Sequence, residues 1–260
     1  MKLATWNVNS IRQRLPHVLD WLGTNEPDVL ALQELKTEAD KFPLAEIEAS
    51  GYRCILSGQK AYNGVALISR DEPADVIVDI PDFADEQRRV IAASYGDTRI
   101  INVYVPNGQS IDSDKYRYKL DWLDALHGYL DSELKKYKKL AIVGDFNIAP
   151  DDRDVHDPEL WRDQVLCSKP ERERLKALLD LGLVDTFRLS EQAEKSFSWW
   201  DYRQMGFRLN RGLRIDLILA STALAADCSA TIIDKLPRNL EKPSDHAPVL
   251  AVFGGDAATV

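Results

Sequence analysis

Cysteine and histidine are scarce in this chain of 260 residues, which contains three of the first and four of the second. Cys54, Cys167 and Cys228 lie far apart and are odd in number, which argues against a disulfide framework and predicts reduced thiols in the cytoplasm. No cluster of cysteine and histidine has the spacing of a zinc site. Neither a disulfide-rich secreted scaffold nor a zinc-binding module is indicated.

Long apolar runs and linker-like breaks are missing as well. No stretch is long enough to span a membrane, and residues Met1 to Trp6 have the pattern of a strand rather than the apolar core of a signal peptide. We therefore expect a cytoplasmic protein without a membrane partner. The absence of a break predicts a single domain over residues 1–253, followed by a short flexible tail of small residues at 254–260.

Positive charge is also in deficit. The formal net charge is −9, whereas general polyanion binders carry surfaces rich in Lys and Arg. A local basic rim around an acidic, cation-loaded centre is still compatible with this charge. The basic residues near polar strand ends are Arg12, Arg14, Lys36, Lys60, Arg88, Arg89, Arg203, Arg208, Arg211 and Arg214. Taken singly, each is most simply a solvated surface group.

Signals for helices and strands alternate along the chain. Helical spacing extends from Pro16 to Leu22, with Pro16 suited to a first turn, and again from Lys115 to Lys136 and from Lys169 to Leu181. Strand-like runs are Tyr52–Ser57, Gly64–Ser69, Val76–Ile80, Val90–Tyr95, Arg99–Val105, Leu140–Gly144, Arg214–Ala220 and Ala230–Ile233. So many strands exceed what one open sheet comfortably holds. We predict an α/β (α+β) fold in which two packed sheets carry helices on their outer faces.

Apolar runs end repeatedly in polar side chains. Leu3–Asn7, Val29–Glu34 and Leu140–Asn147 close on carboxylates or amides, and Ile100–Asn107 closes on a phenol and an amide. In open α/β sheets the ligand crevice lies beyond the carboxyl ends of the strands. Four strands that deliver polar groups to that side predict one site.

The segment from Lys242 to Pro248 places Asp245 and His246 side by side, just before another apolar run. Asp216 lies inside a further apolar run, where burial of its carboxylate is costly unless it is paired. Either an arginine forms an ion pair with Asp216, or Asp216 pairs with His246 and fixes the tautomer of the imidazole.

A serine nucleophile is not indicated, because no Gly-x-Ser-x-Gly motif is present. Metal-assisted attack by water is the more coherent chemistry. The candidate ligands are all oxygen donors, which select magnesium or manganese over zinc. They are Glu34, Asp145, Asn147, Asp245 and Asn7. Singly, such residues also serve as helix caps, turns or loop braces, but jointly they predict a metal site whose natural substrate is a phosphate ester.

Five motifs carry a family resemblance. They are Trp6-Asn7-Val8-Asn9-Ser10, Leu32-Gln33-Glu34-Leu35-Lys36, Gly144-Asp145-Phe146-Asn147, Leu213-Arg214-Ile215-Asp216 and Ser244-Asp245-His246-Ala247-Pro248. With them, nearly the whole chain resembles the endonuclease/exonuclease/phosphatase superfamily. The segments Ser196–Arg203 and Asn210–Asp216 are longer, and through them the chain resembles the exonuclease III family of apurinic/apyrimidinic endonucleases.

The resemblance implies a four-layer sandwich with two mixed sheets, and it implies roles for individual residues. Glu34 becomes the principal ligand in a metal group that comprises Asn7, Glu34, Asp145, Asn147, Asp245 and His246. The implied catalytic residues are Tyr104, Asp145, Asn147, Asp216 and His246. Asn107 would touch the DNA backbone, and the wall of the pocket for the flipped abasic sugar would consist of Trp199, Leu213 and Ile215.

The implied activity is hydrolysis 5′ to abasic sites in DNA base-excision repair, with 3′-5′ exonuclease and 3′-end-cleaning activity. The implied cofactor is Mg²⁺, for which Mn²⁺ can substitute, and the partner is double-stranded DNA with abasic sites or with blocked or recessed 3′ ends, bound by a monomer.

Three alternatives stay open: a phosphomonoesterase or phospholipid phosphodiesterase of the superfamily, a specialised 3′-5′ exonuclease with weak abasic-site activity, and a DNA-binding protein without catalysis. The segment Asp151–Leu166 departs from the family pattern, which bears on the balance between internal abasic cleavage and 3′-end trimming.

Overall fold

The computed structural model describes residues 1–255, so residues 256–260, the greater part of the predicted tail at 254–260, lie outside the described residues. The strands are β1 (Lys2–Asn7), β2 (Val29–Gln33), β3 (Arg53–Ser57), β4 (Val65–Ser69), β5 (Ala74–Val78), β6 (Val90–Tyr95), β7 (Thr98–Tyr104), β8 (Lys139–Asp145), β9 (Leu183–Asp185), β10 (Trp199–Trp200), β11 (Gly212–Leu213), β12 (Asp216–Ser221), β13 (Cys228–Ile233) and β14 (Val249–Phe253). The α-helices are α1 (Ile11–Asn25), α2 (Leu44–Ala49), α3 (Asp114–Lys136), α4 (Pro158–Trp161), α5 (Lys169–Asp180) and α6 (Thr222–Ala225).

Twelve of these strands form two six-stranded mixed sheets, and β10 and β11 form a separate two-stranded ribbon. The first has the order β13-β14-β1-β2-β4-β3, and the second has the order β5-β6-β7-β8-β12-β9. Each sheet contains one parallel pair, β1 with β2 and β7 with β8, and its other pairs are antiparallel. Parallel neighbours need a crossover connection, which α1 supplies in the first sheet and α3 in the second.

Buried apolar residues form one cluster between the sheets and one on each outer face. Leu3 of the first sheet and Ile100 of the second meet in the middle cluster. Trp21 of α1 belongs to the cluster on the first sheet, and Leu123 of α3 and Leu175 of α5 belong to the cluster on the second. The order of layers is helix, sheet, sheet, helix, so the predicted four-layer sandwich is confirmed. Within residues 1–255 every helix is too short or too polar to cross a membrane.

Helix α1 is longer than its spacing predicts. It starts at Ile11, so Pro16 lies inside the helix and not in its first turn, and that prediction is wrong. Pro16 has no N–H for the carbonyl of Arg12, but both residues lie on the exposed side of the helix, where water can serve that carbonyl. Ile11 is fully buried, and its packing favours the earlier start.

The register of the strands places their polar ends side by side. At the ends of β1 and β2, Asn7 lies opposite Gln33. In the second sheet, Asp145 at the end of β8 lies opposite Tyr104 of β7 on one side and Asp216 of β12 on the other. The predicted crevice beyond these strand ends therefore has residues from both sheets.

A buried amide joins the two sheets close to this edge. Asn102 of β7 donates from Nδ2 to the carbonyls of Leu32 (2.9 Å) and Ala66 (2.8 Å) in the first sheet. Its Oδ1 accepts a hydrogen bond from Gln33 Nε2 at 2.8 Å. These bonds, made where water is excluded, fix the position of one sheet relative to the other.

Candidate active site

Three predicted side chains converge at the common edge of the two sheets. Glu34, Asp145 and His246 each offer one ligand atom, and these three atoms lie within 4.8 Å of one another. Glu34 follows β2 of the first sheet, Asp145 ends β8 of the second, and His246 belongs to the loop before β14. The cluster therefore forms only when both sheets are packed together.

Glu34 is held in an uncommon backbone conformation. Its φ is +53°, in the left-handed region, and its carbonyl accepts a hydrogen bond from the N–H of Ser10 at 2.8 Å. Its Oε1 accepts from the Tyr104 hydroxyl (2.9 Å) and from Asn7 Nδ2 (2.8 Å), and Lys36 Nζ lies 2.8 Å from Oε2. Burial alone would raise the pKa of Glu34, but the charge of Lys36 and the hydrogen bonds from Asn7 and Lys36 lower it, so the side chain is an anion.

Asp145 owes its position to the glycine before it. Gly144 has φ +145°, and a Cβ at this residue would stand 1.9 Å from the carbonyl oxygen of Val103, so the close approach of β7 and β8 requires glycine. The Oδ2 atom of Asp145 accepts a hydrogen bond from Asn7 Nδ2 at 2.9 Å, and Oδ1 accepts one from the N–H of Asn147 at 2.9 Å. Asn7 thus bridges the carboxylates of the two sheets.

His246 and Asp216 form a buried pair. His246 Nδ1 lies 2.9 Å from Asp216 Oδ2 and 3.1 Å from Oδ1. Ser198 Oγ donates a further hydrogen bond to Asp216 Oδ2 at 2.6 Å. The other ring nitrogen, Nε2, faces Asp145 Oδ2 at 3.7 Å. Asp216 therefore orients the ring so that Nε2 points into the cluster.

Of the two alternatives for Asp216, the ion pair with an arginine is wrong. The nearby Arg214 makes ion pairs with Asp154 (2.6 Å) and Asp185 (2.7 Å) instead. Asp216 is left to His246, as the other alternative predicts.

Asp145 and His246 shift one another's pKa. Burial raises the pKa of Asp145 to about 7, against the opposing effect of His246. Burial alone would lower the pKa of His246, but the carboxylates of Asp216, Asp145 and Asp245 raise it to about 10. At neutral pH the imidazole is a cation, and Asp145 is poised to exchange a proton.

Asn147 and Asn107 are fixed from behind by a buried ammonium group. Asn147 Nδ2 donates to the carbonyl of Val105 (3.0 Å), and its Oδ1 accepts from Asn107 Nδ2 (3.1 Å). Lys119 of α3 donates to the main-chain carbonyls of Asn107 (3.1 Å) and Asn147 (2.7 Å), and it forms a buried ion pair with Glu171. One lysine therefore holds both amides in place.

Asp245 and Asn7, like Asn147, have side-chain oxygens that accept hydrogen bonds from the protein. Asp245 accepts hydrogen bonds from Asn9 Nδ2 (2.9 Å) and from Trp199 Nε1 (3.0 Å). Asn7 Oδ1 accepts from the N–H of Asn9 (3.0 Å), so its amide nitrogen, and not its oxygen, faces the carboxylates. The structure does not bring Asp245 into the close cluster, and the part of both residues as metal ligands stays a prediction.

The donor set at the cluster fits a divalent cation. The four acidic residues predicted for the site, Glu34, Asp145, Asp216 and Asp245, all lie at this edge. Lys36 and His246 supply two positive charges near them. Carboxylate oxygens are the ligands that hard divalent ions prefer, and such an ion would offset the surplus of negative charge.

The predicted pocket wall is assembled but covered. Trp199 lies opposite Leu213 in the β10–β11 ribbon, and Leu213 and Ile215 are 0% and 1% exposed. Leu166 belongs to the same buried apolar cluster as Leu213 and Ile215. Its φ is +75°, a left-handed conformation that is uncommon for a leucine. The divergent segment Asp151–Leu166 therefore lies directly against the residues that the resemblance assigned to the abasic pocket.

Three of the ten basic residues expected near the strand ends are buried. Arg14 donates to main-chain carbonyls of residues 242–243, and Arg89 stacks over the ring of Tyr104 at 4.7 Å. Arg214 is 1% exposed and already paired. Their interpretation as solvated surface groups is wrong, because each one holds part of the site or its surroundings in place.

Sequence reasoning gave no role to Ser198, Asn9 or Lys119. Ser198 and Asn9 lie inside the motifs that carry the family resemblance, which was a signal that their positions matter. Lys119 gave no comparable signal, because its partners include two main-chain carbonyls that only the fold brings together.

Comparison with known proteins agrees with this geometry. Residues 4–246 match the Endonuclease/Exonuclease/phosphatase family. The chain is 40% identical over 267 residues to exodeoxyribonuclease III of Haemophilus influenzae, covering 97% of this chain and 100% of that protein. It is 48% identical to a 3′ phosphatase from Neisseria bound to a product DNA hairpin, with a TM-score of 0.96 over 97% of this chain and 99% of the other. It is 41% identical to an AP endonuclease from Archaeoglobus fulgidus, with a TM-score of 0.94 over 98% of this chain and 100% of the other. The range that matches contains every strand end of the site, and the chain belongs to the endonuclease/exonuclease/phosphatase family.

Proposed function

We propose that this protein is a divalent-metal-dependent phosphodiesterase of DNA base-excision repair. It hydrolyses the bond 5′ to an abasic site, leaving a 3′-hydroxyl, and it acts on 3′ ends as a 3′-5′ exonuclease and as a phosphatase. The observation that carries the proposal is the convergence of Glu34, Asp145 and His246 at the edge between the sheets. Full-length relatives named exodeoxyribonuclease III and AP endonuclease support it.

The metal is Mg²⁺, with Mn²⁺ able to replace it. Glu34 is its principal ligand, within the group Asn7, Glu34, Asp145, Asn147, Asp245 and His246, of which His246 can ligate only after Nε2 has lost its proton. For Asn7 to contribute its oxygen, its amide has to turn away from its hydrogen bond with Asn9. When bound, the ion supplies positive charge that stabilises the developing charge on the phosphate.

Asp145 takes up the proton that the reaction releases, and His246 stabilises the negative charge on the phosphate. Asp145 accepts a proton from the attacking water, a role suited to its pKa of about 7. His246, kept cationic by its neighbours, donates from Nε2 to a non-bridging phosphate oxygen. Asp216 holds the proton on Nδ1 and so maintains this orientation.

Tyr104, Asn147 and Asn107 position the substrate. The hydroxyl of Tyr104 orients Glu34 and lies beside the scissile phosphate. Asn147 orients the water and the phosphate, and Asn107, which is exposed, contacts the DNA backbone. The hydrogen bonds from Tyr104 to Glu34 and from Asn107 to Asn147 keep these groups in place before the substrate arrives.

Coverage of the pocket wall favours work at 3′ ends over incision at internal abasic sites. Trp199, Leu213 and Ile215 receive the abasic sugar in the proposed enzyme, but the last two are buried in one apolar cluster with Leu166, Val155 and Cys167, so they are not open to a sugar. A sugar flipped from within a duplex needs that wall to be open, whereas a 3′-terminal phosphate does not. The Neisseria relative named as a 3′ phosphatase is in keeping with this preference.

We also propose that residues 1–253 act as a single domain and that the protein is a cytoplasmic monomer. The shared core between the sheets and the three free cysteines support these assignments. The rival phosphomonoesterase or phospholipid phosphodiesterase would share the metal site. Such an enzyme is expected to lack the segments Ser196–Arg203 and Asn210–Asp216, which this chain contains.

Incubation with labelled duplexes tests the proposed function. The duplexes carry an abasic site, a 3′-phosphate or a recessed 3′ end, and each is incubated with magnesium, with manganese and with chelator. We expect metal-dependent cleavage of all three, slowest at the abasic site, and none by the variant Asp145→Asn. Activity on simple phosphomonoesters or phospholipids alone, with no reaction on DNA, would overturn the proposal.

A further inference from the structure

A cavity of about 760 Å³ opens beside the candidate site. It shares Tyr104 and Asn107 with that site, and its lining also includes Tyr62 and Lys115. Its volume lies within the range of sites that bind small organic ligands.

The chemistry of this cavity differs from that of the acidic centre. No Asp or Glu is found among the described residues that line it, although the chain as a whole carries a net charge of −9. Half of its polar side chains are amides, among them Gln59 and Gln109, and the others are tyrosines, Arg89 and Lys115. Lys115 is exposed, and within residues 1–255 it has no carboxylate within 4 Å. A surface without carboxylates and with an unpaired ammonium group suits an anion.

A second cavity, of about 600 Å³ near α5, serves as a contrast. Its arginines are already paired, for example Arg172 with Asp152 and Arg188 with Asp154. An anion there would have to displace carboxylates, which the cavity at Tyr62 does not require.

Tyr62 adds an aromatic surface. Its side chain is 71% exposed, although a tyrosine usually buries much of its ring. The turn that presents it has left-handed backbone at Ala61 (φ +65°) and Asn63 (φ +52°), and Asn63 is tied to Gln59 by a hydrogen bond of 2.9 Å. An exposed aromatic ring beside amides and a cation is a platform for a nucleobase, because every base has a face that stacks.

We propose that this cavity binds an unpaired nucleotide adjoining the scissile phosphate, with its base stacked on Tyr62 and its phosphate near Lys115. The inference rests on the proposed function and names the substrate that the same site prefers, namely DNA whose 3′ end is frayed or mismatched. A base in a duplex cannot enter, because it is held by its partner and its neighbours. The unpaired end thus gains a contact that a paired end lacks.

The first test compares two substrates of equal sequence, one with a mismatched 3′-terminal nucleotide and one with a paired 3′ end that carries a phosphate. We expect Tyr62→Ala to lower kcat/KM on the mismatched end by about 5- to 100-fold relative to the phosphate substrate, the range that loss of one stacked base produces. Tyr62→Phe keeps the ring and should keep the preference. Lys115→Ala should raise KM on the mismatched end, whereas Lys135→Ala, at the exposed other end of α3, should not.

A second test needs no turnover. In chelator, 2-aminopurine at the mismatched 3′ terminus should lose fluorescence on binding to the wild-type protein, and this quenching should disappear with Tyr62→Ala. If the wild type cleaves both substrates but Tyr62→Ala alters neither the ratio nor the quenching, the nucleotide subsite is wrong and the nuclease stands. If the wild type cleaves no DNA at all, the proposed function itself fails.

Discussion

His246 stands between two carboxylates, with Nδ1 at 2.9 Å from Asp216 Oδ2 and Nε2 at 3.7 Å from Asp145 Oδ2. Asp216 is further tied to Ser198, so it cannot turn away from the ring. Asp216 therefore sets the orientation of the imidazole, and Asp145 lies beside Nε2, the nitrogen that faces the site.

The first prediction is that Asp216 and His246 act as a unit. Asp216→Asn and His246→Gln should each lower kcat by about 10²- to 10⁴-fold, as expected for loss of a positioned acid or base. The double variant should lose little more than the worse single variant, because both changes disable the same group. Steady-state kinetics on the 3′-phosphate duplex measure all three. If the two single losses simply multiply, Asp216 has only a structural role.

The second prediction concerns the metal and Glu34. Chelator should abolish activity, and magnesium or manganese should restore it. Glu34→Ala should need much more metal for half-maximal rate, because it removes the principal ligand. Tyr104→Phe keeps the carboxylate and removes only the hydroxyl that donates to it at 2.9 Å, so its metal requirement should change less. Titration of the rate against metal concentration distinguishes the two, and full activity in chelator would contradict the mechanism.

The third prediction links Asp145 to stability. Its pKa is raised from 3.8 to about 7, mainly by burial, so the stability associated with its protonated form is present below about pH 4 and is lost as pH rises towards 7. In chelator, Asp145→Asn should therefore raise Tm above that of the wild type, and by more at pH 8 than at pH 4. Added magnesium should stabilise the wild type more than the variant. Thermal unfolding at the two pH values measures this. An equal difference in Tm between variant and wild type at both pH values would show that burial does not raise the pKa of Asp145.

The fourth prediction concerns Leu166. Leu166→Gly should raise the rate at abasic sites relative to 3′-phosphate removal, because it removes an apolar side chain from the cluster that buries Leu213 and Ile215 and because glycine adopts φ +75° without strain. The ratio of the two rates is the measurement, since a general loss of stability affects both. Leu175→Ala, a core change beneath the second sheet, should lower stability without changing that ratio. An unchanged ratio in Leu166→Gly would mean that the covered wall does not govern substrate choice.

The sequence predicted the part of the site that depends on strand ends. Glu34 and Asp145 could be grouped because they close apolar runs, and parallel order brings such ends to one edge. His246 comes just before the apolar run of β14, which lies antiparallel to β1, so the start of β14 lies at the same edge. The pairing of Asp216 with His246 was one of two open alternatives, since only the fold shows that Arg214 is occupied by Asp154 and Asp185.

What stayed hidden depends on loop conformation and on main-chain partners. The left-handed backbone at Leu166 and the burial of Leu213 in the same cluster follow from the conformation of the loop, and no local pattern reveals them. Lys119 binds carbonyls, which every residue has, so its partners cannot be read from side chains. Pro16 was misplaced because burial of Ile11 outweighs the local preference of proline for a first turn.

The amide of Asn102 makes assembly of the site an all-or-none event. If the sheets slid past each other, the carbonyls of Leu32 and Ala66 and the amide of Gln33 would lose a partner together. Each buried hydrogen bond contributes about 0.5–1.5 kcal/mol, so an offset of the sheets that breaks all three is disfavoured. On heating, the distance between Glu34 and Asp145 should therefore stay constant up to the temperature at which the whole core melts, and inactivation should coincide with unfolding instead of preceding it.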